Sequence, residues 1–497
     1  MGEATGTRQM TVARKVARNS LVQLAGRGVT MGVSLAALTL LSRYLGPHRF
    51  GQYQLVIAFL TLVNVSDLGV ATIAVRHLST SQRDPEELMG NVLTVRTILA
   101  FVSSVLAIGA SFALGYPYEI KMAIAVASLS FPLTIFSGSY NATFAANLRM
   151  EYAAIGNIAQ AAVGLLAMVF VVNGGGGLIR LVIAYDIGIL ANSIICLYFA
   201  RRFVRPHFRF DFHYSRQVVR EALPLGLAVL VMTAYGRIDI VLLKAFTDSP
   251  SVGYYGFAYR VVDLAFPLSF FFVGSVFPLL STFHADGDHA EFKKLYQRSH
   301  DLLSLIGMSI VTAIILFAPP LVRLIGGADY AAAVTSMQVL SMAVALIWLS
   351  NLVDHGLIAI GKQGALLWIA ALGLAVNISV NLVLIPIYGK EGAAAATVIT
   401  EAAVLLPALF IMSRYLGETP SFWVAGRLLP VIGVAGVMVY ALHLSWETEA
   451  VLTFVLFGAG IALMRIVSLH DVKMLLSRHK GADPTVHAAR IEAGTPQ

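Results

Sequence analysis

Charge is scarce in this chain of 497 residues: 12% of them are Asp, Glu, Lys or Arg, whereas 58% are hydrophobic. A soluble protein of this length needs far more charge to cover its surface. The one cysteine, Cys196, has no second cysteine with which to form an internal disulfide. No cleavable signal peptide is visible, because the first apolar run is too long for one. The composition therefore predicts an integral membrane protein of the encoded length.

Sequence motifs for binding nucleotides, zinc or nucleic acids are also missing. Residues 356–362 (GLIAIGK) match the first part of a phosphate-binding loop, but Gln363 follows where Ser or Thr would bind magnesium, and no strand precedes the run. No His, Cys, Asp or Glu cluster has the spacing of a zinc site. The net charge of +8 is spread over short loops and forms no basic stripe with interleaved aromatics. We therefore expect no cofactor, no metal, no nucleic-acid partner and no enzymatic activity.

Long apolar runs fill most of the sequence. A membrane-spanning helix needs about 20 apolar residues, and this criterion gives about fourteen spans. They lie near residues 20–45, 51–75, 88–114, 118–146, 151–172, 178–200, 217–245, 252–283, 300–322, 331–360, 364–387, 391–413, 424–443 and 449–468.

The positive residues of the loops predict the orientation of these spans. Most Lys and Arg residues fall on the side of the N-terminus, including those of the longest basic loop at 201–220. The other side receives only Arg43, Arg49, Lys121, Arg180, Lys244, Arg323 and Lys390. This bias predicts that both termini are cytoplasmic and that the number of spans is even.

Internal repetition divides the chain near its middle. The segment from Arg43 to residues 50–53 (FGQY) is echoed by Lys244 and residues 252–255 (VGYY). We therefore predict an all-α polytopic membrane protein with two similar, parallel six-helix bundles and two further C-terminal helices. The predicted regions are a basic cytoplasmic N-terminus (1–19), an N-terminal helical bundle (20–200), a cytoplasmic linker (201–216), a C-terminal helical bundle (217–415), two additional transmembrane helices (416–470) and a cytoplasmic tail (471–497).

Charged residues inside the apolar spans are the candidates for a functional site. A charge at bilayer depth costs at least about 2.5–3.5 kcal/mol, so it needs a partner or a hydrated cavity. Arg260 and Asp263 are spaced i, i+3 and can pair on one helix face, whereas Arg237 and Asp239 at i, i+2 point in different directions. For each residue, a buried structural ion pair is the alternative to a role in binding.

Three stretches resemble the polysaccharide-transport flippases of the Wzx type. They are residues 43–53 (RYLGPHRFGQY) with 67–76 (DLGVATIAVR), residues 239–278 with VGYYGFA at 252–258, and residues 377–401 (NISVNLVLIPIYGKEGAAAATVITE). The likeness extends over roughly residues 19 to 415. The wider multidrug/oligosaccharidyl-lipid/polysaccharide exporter superfamily also holds multidrug antiporters and the lipid II flippase. The resemblance implies two helical bundles around a central cavity lined largely by the first, second, seventh and eighth spans.

The resemblance also implies a cargo, an oligosaccharide repeat unit linked to undecaprenyl pyrophosphate, moved from the inner to the outer leaflet of the cytoplasmic membrane. Because arginine binds phosphate oxygens bidentately, three arginines are the predicted pyrophosphate ligands, and three acids are their predicted charge partners or ion- or proton-coupling groups. They are Arg27, Arg237 and Arg260, and Asp67, Asp239 and Asp263. The expected partners besides membrane lipids are a polysaccharide polymerase and a chain-length regulator.

Two other functions remain open from the sequence. One is a proton- or sodium-coupled multidrug or lipid exporter of the same superfamily, which would need a more apolar cavity and an essential acid. The other is a membrane polysaccharide polymerase or ligase. Such enzymes generally need sizeable outward loops, and the outward loops here are short.

Overall fold

The computed structural model describes residues 2–65, 67–80, 84–204, 208–442 and 446–463, and this part of the chain is almost entirely helical. The predicted tail at 471–497 lies outside it. The helices are α1 (Gly2–Val63), α2 (Val70–Thr80), α3 (Pro85–Ala113), α4 (Tyr118–Ala127), α5 (Ser130–Ala146), α6 (Glu151–Asn173), α7 (Leu178–Ala200), α8 (Phe212–Phe246), α9 (Ser249–Asp263), α10 (Phe266–Ala285), α11 (His289–Ile325), a 3₁₀ helix (Ala328–Ala333), α12 (Val334–Ala359), α13 (Gln363–Leu416), α14 (Trp423–Leu442) and α15 (Trp446–Leu463).

Ten helical segments among the described residues are long and apolar enough to cross a membrane. Two shorter apolar stretches, Trp423–Met438 and Val451–Gly460, follow near the C-terminus. The prediction of an all-α polytopic membrane protein is therefore confirmed. The count of fourteen spans and the region boundaries stay predictions.

Two glycines divide the longest helices. Gly46 in α1 has φ 63°, and Gly389 in α13 has φ 58°, so the helix on each side points in a different direction. Residues with a Cβ rarely adopt such a backbone, whereas glycine does so at little cost. Pro47 follows Gly46 at once and suits the first turn of the helix that resumes there. Each of these two long segments thus contains two helices joined at a glycine.

Three of the predicted spans are interrupted, which the hydropathy pattern did not indicate. The span at 118–146 breaks at Ser128 and Leu129, and the span at 252–283 breaks at Leu264 and Ala265. Each break lies two to four residues before a proline, Pro132 or Pro267. A proline lacks the N–H for the i−4 carbonyl and clashes with it, so the helix opens just before it. The span at 51–75 is interrupted between α1 and α2.

At one end of the bundle, here called the Gly46 end, the two halves of the chain meet through backbone. Gly51 of α1 crosses Gly253 of α9, and a Cβ on either one would overlap a carbonyl oxygen of the other helix, that of Ser249 or that of Pro47. Small residues let helices approach this closely in membranes. Gly51 and Gly253 occupy matching positions of the two sequence repeats, so segments that repeat each other also face each other.

Arg43 reinforces the Gly46 end. Its guanidinium donates to the carbonyl oxygens of Leu324 (2.5 Å) and Ile325 (3.2 Å), which end α11 in the other half of the chain. The hydroxyl of Ser42 donates to the same Ile325 oxygen at 3.4 Å. The last carbonyls of a helix have no partner within it and carry partial negative charge, which a cation stabilises.

At the opposite end, here called the Gly69 end, the halves meet differently. Gly226 of α8 packs so closely on the carbonyl of Leu68 that no Cβ would fit between them. Leu68 belongs to the interrupted segment between α1 and α2 and has φ 41°. Beside this contact, Arg76 of α2 forms an ion pair with Glu221 of α8. The charge bias of the loops predicts the Gly69 end to be cytoplasmic and the Gly46 end to be external.

Candidate functional site: a cationic cavity

A partly open cavity of about 600 Å³ lies against both parts of α1. Helices α6 and α7 form another wall, and the region around the break between α9 and α10 closes it from the second half of the chain. The break places Leu264 and Pro267 at the wall, and the turn at Gly46 brings Tyr53 and Gln54 back beside the first part of α1. Local interruptions of helices thus create the void.

Two predicted arginines line this cavity, one from each half of the chain. Arg27 is exposed on α1, and its guanidinium carbon lies 5.5 Å from the ring centre of Phe271. Arg260 is half-buried on α9, close enough to Tyr53 and Tyr185 for its charge to act on both phenols. Within the described part of the chain, neither guanidinium forms an ion pair or a hydrogen bond. The cavity therefore presents two arginines whose donors are available to a ligand.

Asp263 also lines the cavity, but its partner is Arg237 and not Arg260. The Arg237 guanidinium of α8 lies 3.1 Å from the Asp263 carboxylate and 4.9 Å from the ring centre of Tyr259. The expected pairing of Arg260 with Asp263 is therefore wrong for this structure. Asp263 is the last residue of α9, where the helix breaks, so its side chain reaches the neighbouring helix α8. Arg237 thus holds the cavity-lining side chain of Asp263 in an ion pair. Among the described residues, Arg260 has no acid partner.

Asp239 lies outside the cavity. It is buried, 2% exposed, and accepts hydrogen bonds from the hydroxyl of Tyr255 and from the backbone N–H of Ile240 (2.8 Å). The same Tyr255 oxygen is 3.2 Å from the hydroxyl of Thr397 on α13. This network joins α8, α9 and α13. Among the described residues Asp239 forms no ion pair with Arg237, although the charge of Arg237 acts on it. As predicted from their i, i+2 spacing, Arg237 and Asp239 point in different directions.

Asp67 is likewise placed away from the cavity. Its carboxylate accepts from the backbone N–H of Ala71 at 2.9 Å, at the start of α2, and lies 3.8 Å from Nε of Arg96. Arg96 is buried on α3, and its guanidinium fills the space that a side chain at Gly138 would need. A structural ion pair between the interrupted segment and α3 is thus the simplest role for Asp67.

Uncharged polar side chains complete the cavity, and the search for charges missed them. Tyr53 and Gln54 come from the second part of α1, Asn157 and Gln160 from α6, and Tyr185 from α7. An amide pair at i, i+3 within an apolar span was the available signal, because both side chains then share one helix face. Among the described residues, no group of three or more His, Cys, Asp or Glu has the arrangement of a metal site.

Comparison with protein families now adds to this geometry. The model of the family described as polysaccharide biosynthesis protein matches residues 16–284, more than half of the chain. The chain belongs to the polysaccharide biosynthesis protein family. A second model, that of the MatE family, matches residues 224–383. This agrees with the resemblance found in the sequence motifs.

Two curated relatives share 22% identity with this family member. One is an uncharacterized membrane protein of Methanocaldococcus jannaschii, aligned over 53% of this chain and 55% of the relative, so the match spans about half the relative's length. The other is a Shigella dysenteriae protein named "Putative O-antigen transporter", aligned over 66% of this chain and 81% of the relative.

Solved structures show the same fold at low identity. The lipid II flippase MurJ in an inward closed conformation has a TM-score of 0.75 at 14% identity, covering 89% of this chain and 98% of MurJ. An inward-facing multidrug resistance MATE transporter of the MOP superfamily has a TM-score of 0.65 at 15% identity, covering 81% of this chain and all of that one. The chain is thus a member of the polysaccharide biosynthesis protein family with the fold of MurJ and of the MATE transporters.

Proposed function

We propose that this protein is a flippase that carries an oligosaccharide linked to undecaprenyl pyrophosphate from the inner to the outer leaflet of the cytoplasmic membrane. The glycan would serve exopolysaccharide, capsule or O-antigen assembly, with a polymerase and a chain-length regulator as assembly partners. The observation that carries this proposal is a pair of arginines, Arg27 and Arg260, that face one cavity between the halves of the chain. Within the described residues, neither has an acid partner.

The chemistry of the cargo explains why such a cavity is needed. Moving one unpaired hydroxyl into hydrocarbon costs on the order of 1–3 kcal/mol or more, so a glycan with about ten hydroxyls faces a barrier of tens of kcal/mol. A polar cavity removes most of that cost while the lipid tail stays in the bilayer. A guanidinium binds two phosphate oxygens at once, and such charge-assisted bonds are about twice as strong as neutral ones.

The direction of transport follows from the charge of the cargo. With the Gly69 end in the cytoplasm and the cell interior negative, outward movement of an anion is favoured by roughly 2.3 kcal/mol per charge per 100 mV. Alternating access requires the Gly46 and Gly69 ends to open in turn around the cavity. We accordingly place the protein in the cytoplasmic membrane with both termini inside.

A cation-coupled multidrug exporter is less well supported by the cavity. The carboxylate of Asp263 is already paired with Arg237, so Arg27 and Arg260 leave the cavity positive and unfavourable for an organic cation. A competition assay separates the two functions, because a lipid diphosphate should displace a fluorescent lipid diphosphate from the purified protein whereas rhodamine 6G should not.

The decisive experiment is transport of fluorescent undecaprenyl diphosphate oligosaccharide by the protein in liposomes. The double substitution Arg27→Gln, Arg260→Gln should lower the rate by at least about tenfold, because it removes two charge-assisted bonds worth about 1.5–3 kcal/mol each. Arg180→Gln, at an exposed arginine outside the cavity, is the matched control and should leave the rate unchanged. Normal transport by the double variant would exclude the cationic cavity as the path.

In cells, deletion of the gene tests the same function independently. The expected result is loss of surface glycan and accumulation of the lipid-linked intermediate, detected by mass spectrometry of extracted lipids. The double arginine variant should reproduce the deletion at unchanged protein level. Complementation of surface glycan by that variant would contradict the proposal.

A further inference from the structure

Three side-chain amides are joined in a polarised network on the wall formed by α6 and α7. Nδ2 of Asn192 donates to Oδ1 of Asn157 at 3.3 Å and to Oε1 of Gln160 at 2.8 Å. Oδ1 of Asn192 accepts from the thiol of Cys196 at 3.2 Å. Asn192 itself is buried, with 6% of its surface exposed. The network therefore uses the oxygens of Asn157 and Gln160 and leaves their NH₂ groups as donors.

Those donors belong to the cavity. Asn157 and Gln160 both line it, and within the described part of the chain their NH₂ groups have no acceptor. An amide NH₂ has two N–H groups and accepts nothing, so this wall offers hydrogen-bond donors only. Gly156 keeps the arrangement possible, because a Cβ there would overlap Oδ1 of Asn192. The absence of a side chain at Gly156 thus leaves room for Asn192, which orients the two amides.

Arg27 and Asn157 lie at a similar height on neighbouring helices that line the cavity. A Cβ built on Gly26 of α1 would lie 3.2 Å from Cβ of Ala154 on α6, so the two helices touch there. Arg27 follows Gly26 by one residue and Asn157 follows Ala154 by three. At 1.5 Å per residue, the two side chains leave their helices within about 6 Å of the same height. The Arg27 guanidinium and the neutral donors of Asn157 and Gln160 therefore face the same cavity from neighbouring helices.

We propose that Asn157 and Gln160 form a saccharide subsite, which binds acceptor oxygens of the sugar attached to the pyrophosphate held by Arg27. This inference rests on the proposed function. The order of groups matches the cargo, because a doubly charged diphosphate is followed by a neutral sugar whose hydroxyl or acetamido oxygens accept hydrogen bonds. A hydrocarbon tail leaves both NH₂ groups unpaired, and an organic cation meets donors where it needs acceptors. Asn192 is a positioning residue that fixes the direction of both amides.

Binding of three lipids to the purified protein in nanodiscs tests the subsite. The probes are undecaprenyl diphosphate without sugar, with glucose and with N-acetylglucosamine. For the wild type, at least one sugar should raise the affinity about tenfold, as expected for two additional neutral hydrogen bonds. The double substitution Asn157→Leu, Gln160→Met should abolish this gain, so that the lipids with sugar bind no more tightly than the sugar-free lipid. Gln338→Met, whose amide donates to the Ile315 carbonyl outside the cavity, should keep the gain.

Asn192→Asp provides a second variant of unchanged shape. It replaces the donor of Asn192 by an acceptor, which should turn both amides so that their oxygens face the cavity. The ratio of the affinities for the sugar-bearing and the sugar-free lipids should then fall towards one although Asn157 and Gln160 are intact. Because the added carboxylate repels the diphosphate that all three lipids carry, this ratio is the quantity compared. If the Asn157→Leu, Gln160→Met protein is not monodisperse, the Asn192→Asp protein is used to test the subsite.

The outcomes separate this inference from the function on which it rests. If the wild type binds the sugar-free lipid but gains nothing from either sugar, or if the variants keep the gain, the subsite is excluded and the flippase proposal stands. If the wild type binds none of the three lipids, the proposed function itself fails. Equal loss of affinity for all three lipids in the amide variants would also overturn the subsite.

Discussion

At the Gly46 end the halves of the chain meet through backbone, whereas at the Gly69 end they meet through an interrupted helix and an exposed ion pair. Gly51 and Gly253 cross with no room for a Cβ, and Arg43 binds the end of α11. At the other end, Arg76 is 57% and Glu221 28% exposed, where ion pairs contribute little. The Gly46 end should therefore open at the greater cost in free energy.

The contact of Gly226 at the Gly69 end fits the same comparison. It also leaves no room for a Cβ, but its neighbour Leu68 lies in the turn between α1 and α2 and not in a continuous helix. Such a segment can shift locally without moving a whole helix. Close packing against a continuous helix, as at Gly253, resists displacement because the helix moves as one body.

The largest expected effect comes from substitutions at the glycine crossing. Gly51→Ala with Gly253→Ala should destabilise the protein by about 1–3 kcal/mol or more and separate the halves at the Gly46 end, because overpacking forces the backbones apart. The measurement is the melting temperature in detergent, together with the rate at which a cysteine replacing Ser34 in the cavity reacts with an impermeant maleimide. A Cys196→Ser background removes the natural thiol.

Gly32→Ala is the matched control for that experiment. Gly32 lies on the same helix α1, and a Cβ there would meet nothing within 4 Å. It should leave both readouts unchanged. If the crossing variant also melts and reacts like the wild type, the backbone contact does not close the Gly46 end.

An intermediate effect is expected from Arg43→Gln. The substitution removes the charge-assisted bonds to the carbonyls of Leu324 and Ile325 and should cost about 1 kcal/mol, since Arg43 is exposed and partly screened by solvent. Labelling of the Ser34→Cys protein from the external side should then rise several-fold. The exposed neighbour Arg323 offers the control, and Arg323→Gln should label at the original rate. Equal labelling of the Arg43→Gln and Arg323→Gln proteins would show that Arg43 does not help to keep the Gly46 end closed.

The smallest effect is expected at the Gly69 end. Glu221→Gln breaks the contacts with Arg76 and His77 and should change stability by less than about 1 kcal/mol. Because the pair is exposed, the effect should shrink in about 0.5 M salt, which weakens interactions between exposed charges. Labelling from the cytoplasmic side measures it, with Glu291→Gln at the surface pair with Lys294 as control. A salt-independent effect as large as that of the glycine crossing would reverse the comparison.

Much of the fold was predictable because hydropathy and turn chemistry act locally. The apolar runs predicted the helices, and Gly46 followed by Pro47 marked the turn within α1. The interruptions at Ser128 and Leu264 escaped notice, since the residues around them are as apolar as the rest of the span. A proline a few residues later was the available signal, but other prolines, such as Pro224, lie within an uninterrupted helix. Packing decides which proline opens a helix.

The site was predictable only in part. Arg27, Arg260 and Asp263 line one cavity, whereas Asp67 and Asp239 serve packing contacts elsewhere. All five are charged residues within apolar spans, and spacing along one helix cannot show which helix lies opposite. The neutral amides of α6 were not predicted, because their desolvation costs less free energy than that of a charged group and they therefore do not stand out in an apolar span.

The sequence by itself determined that this chain is a helical membrane protein, which family it belongs to and which segments repeat. These properties depend on composition and on the order of residues along the chain, whether within one span of about 20 residues or between matching segments of the two halves. Only the tertiary structure decided that Asp263 binds Arg237, that Arg260 has no acid partner among the described residues and that Asn192 turns two amides toward the cavity. Hydrogen bonds and ion pairs form only over a few ångströms, so partners distant in sequence are chosen by how the helices pack.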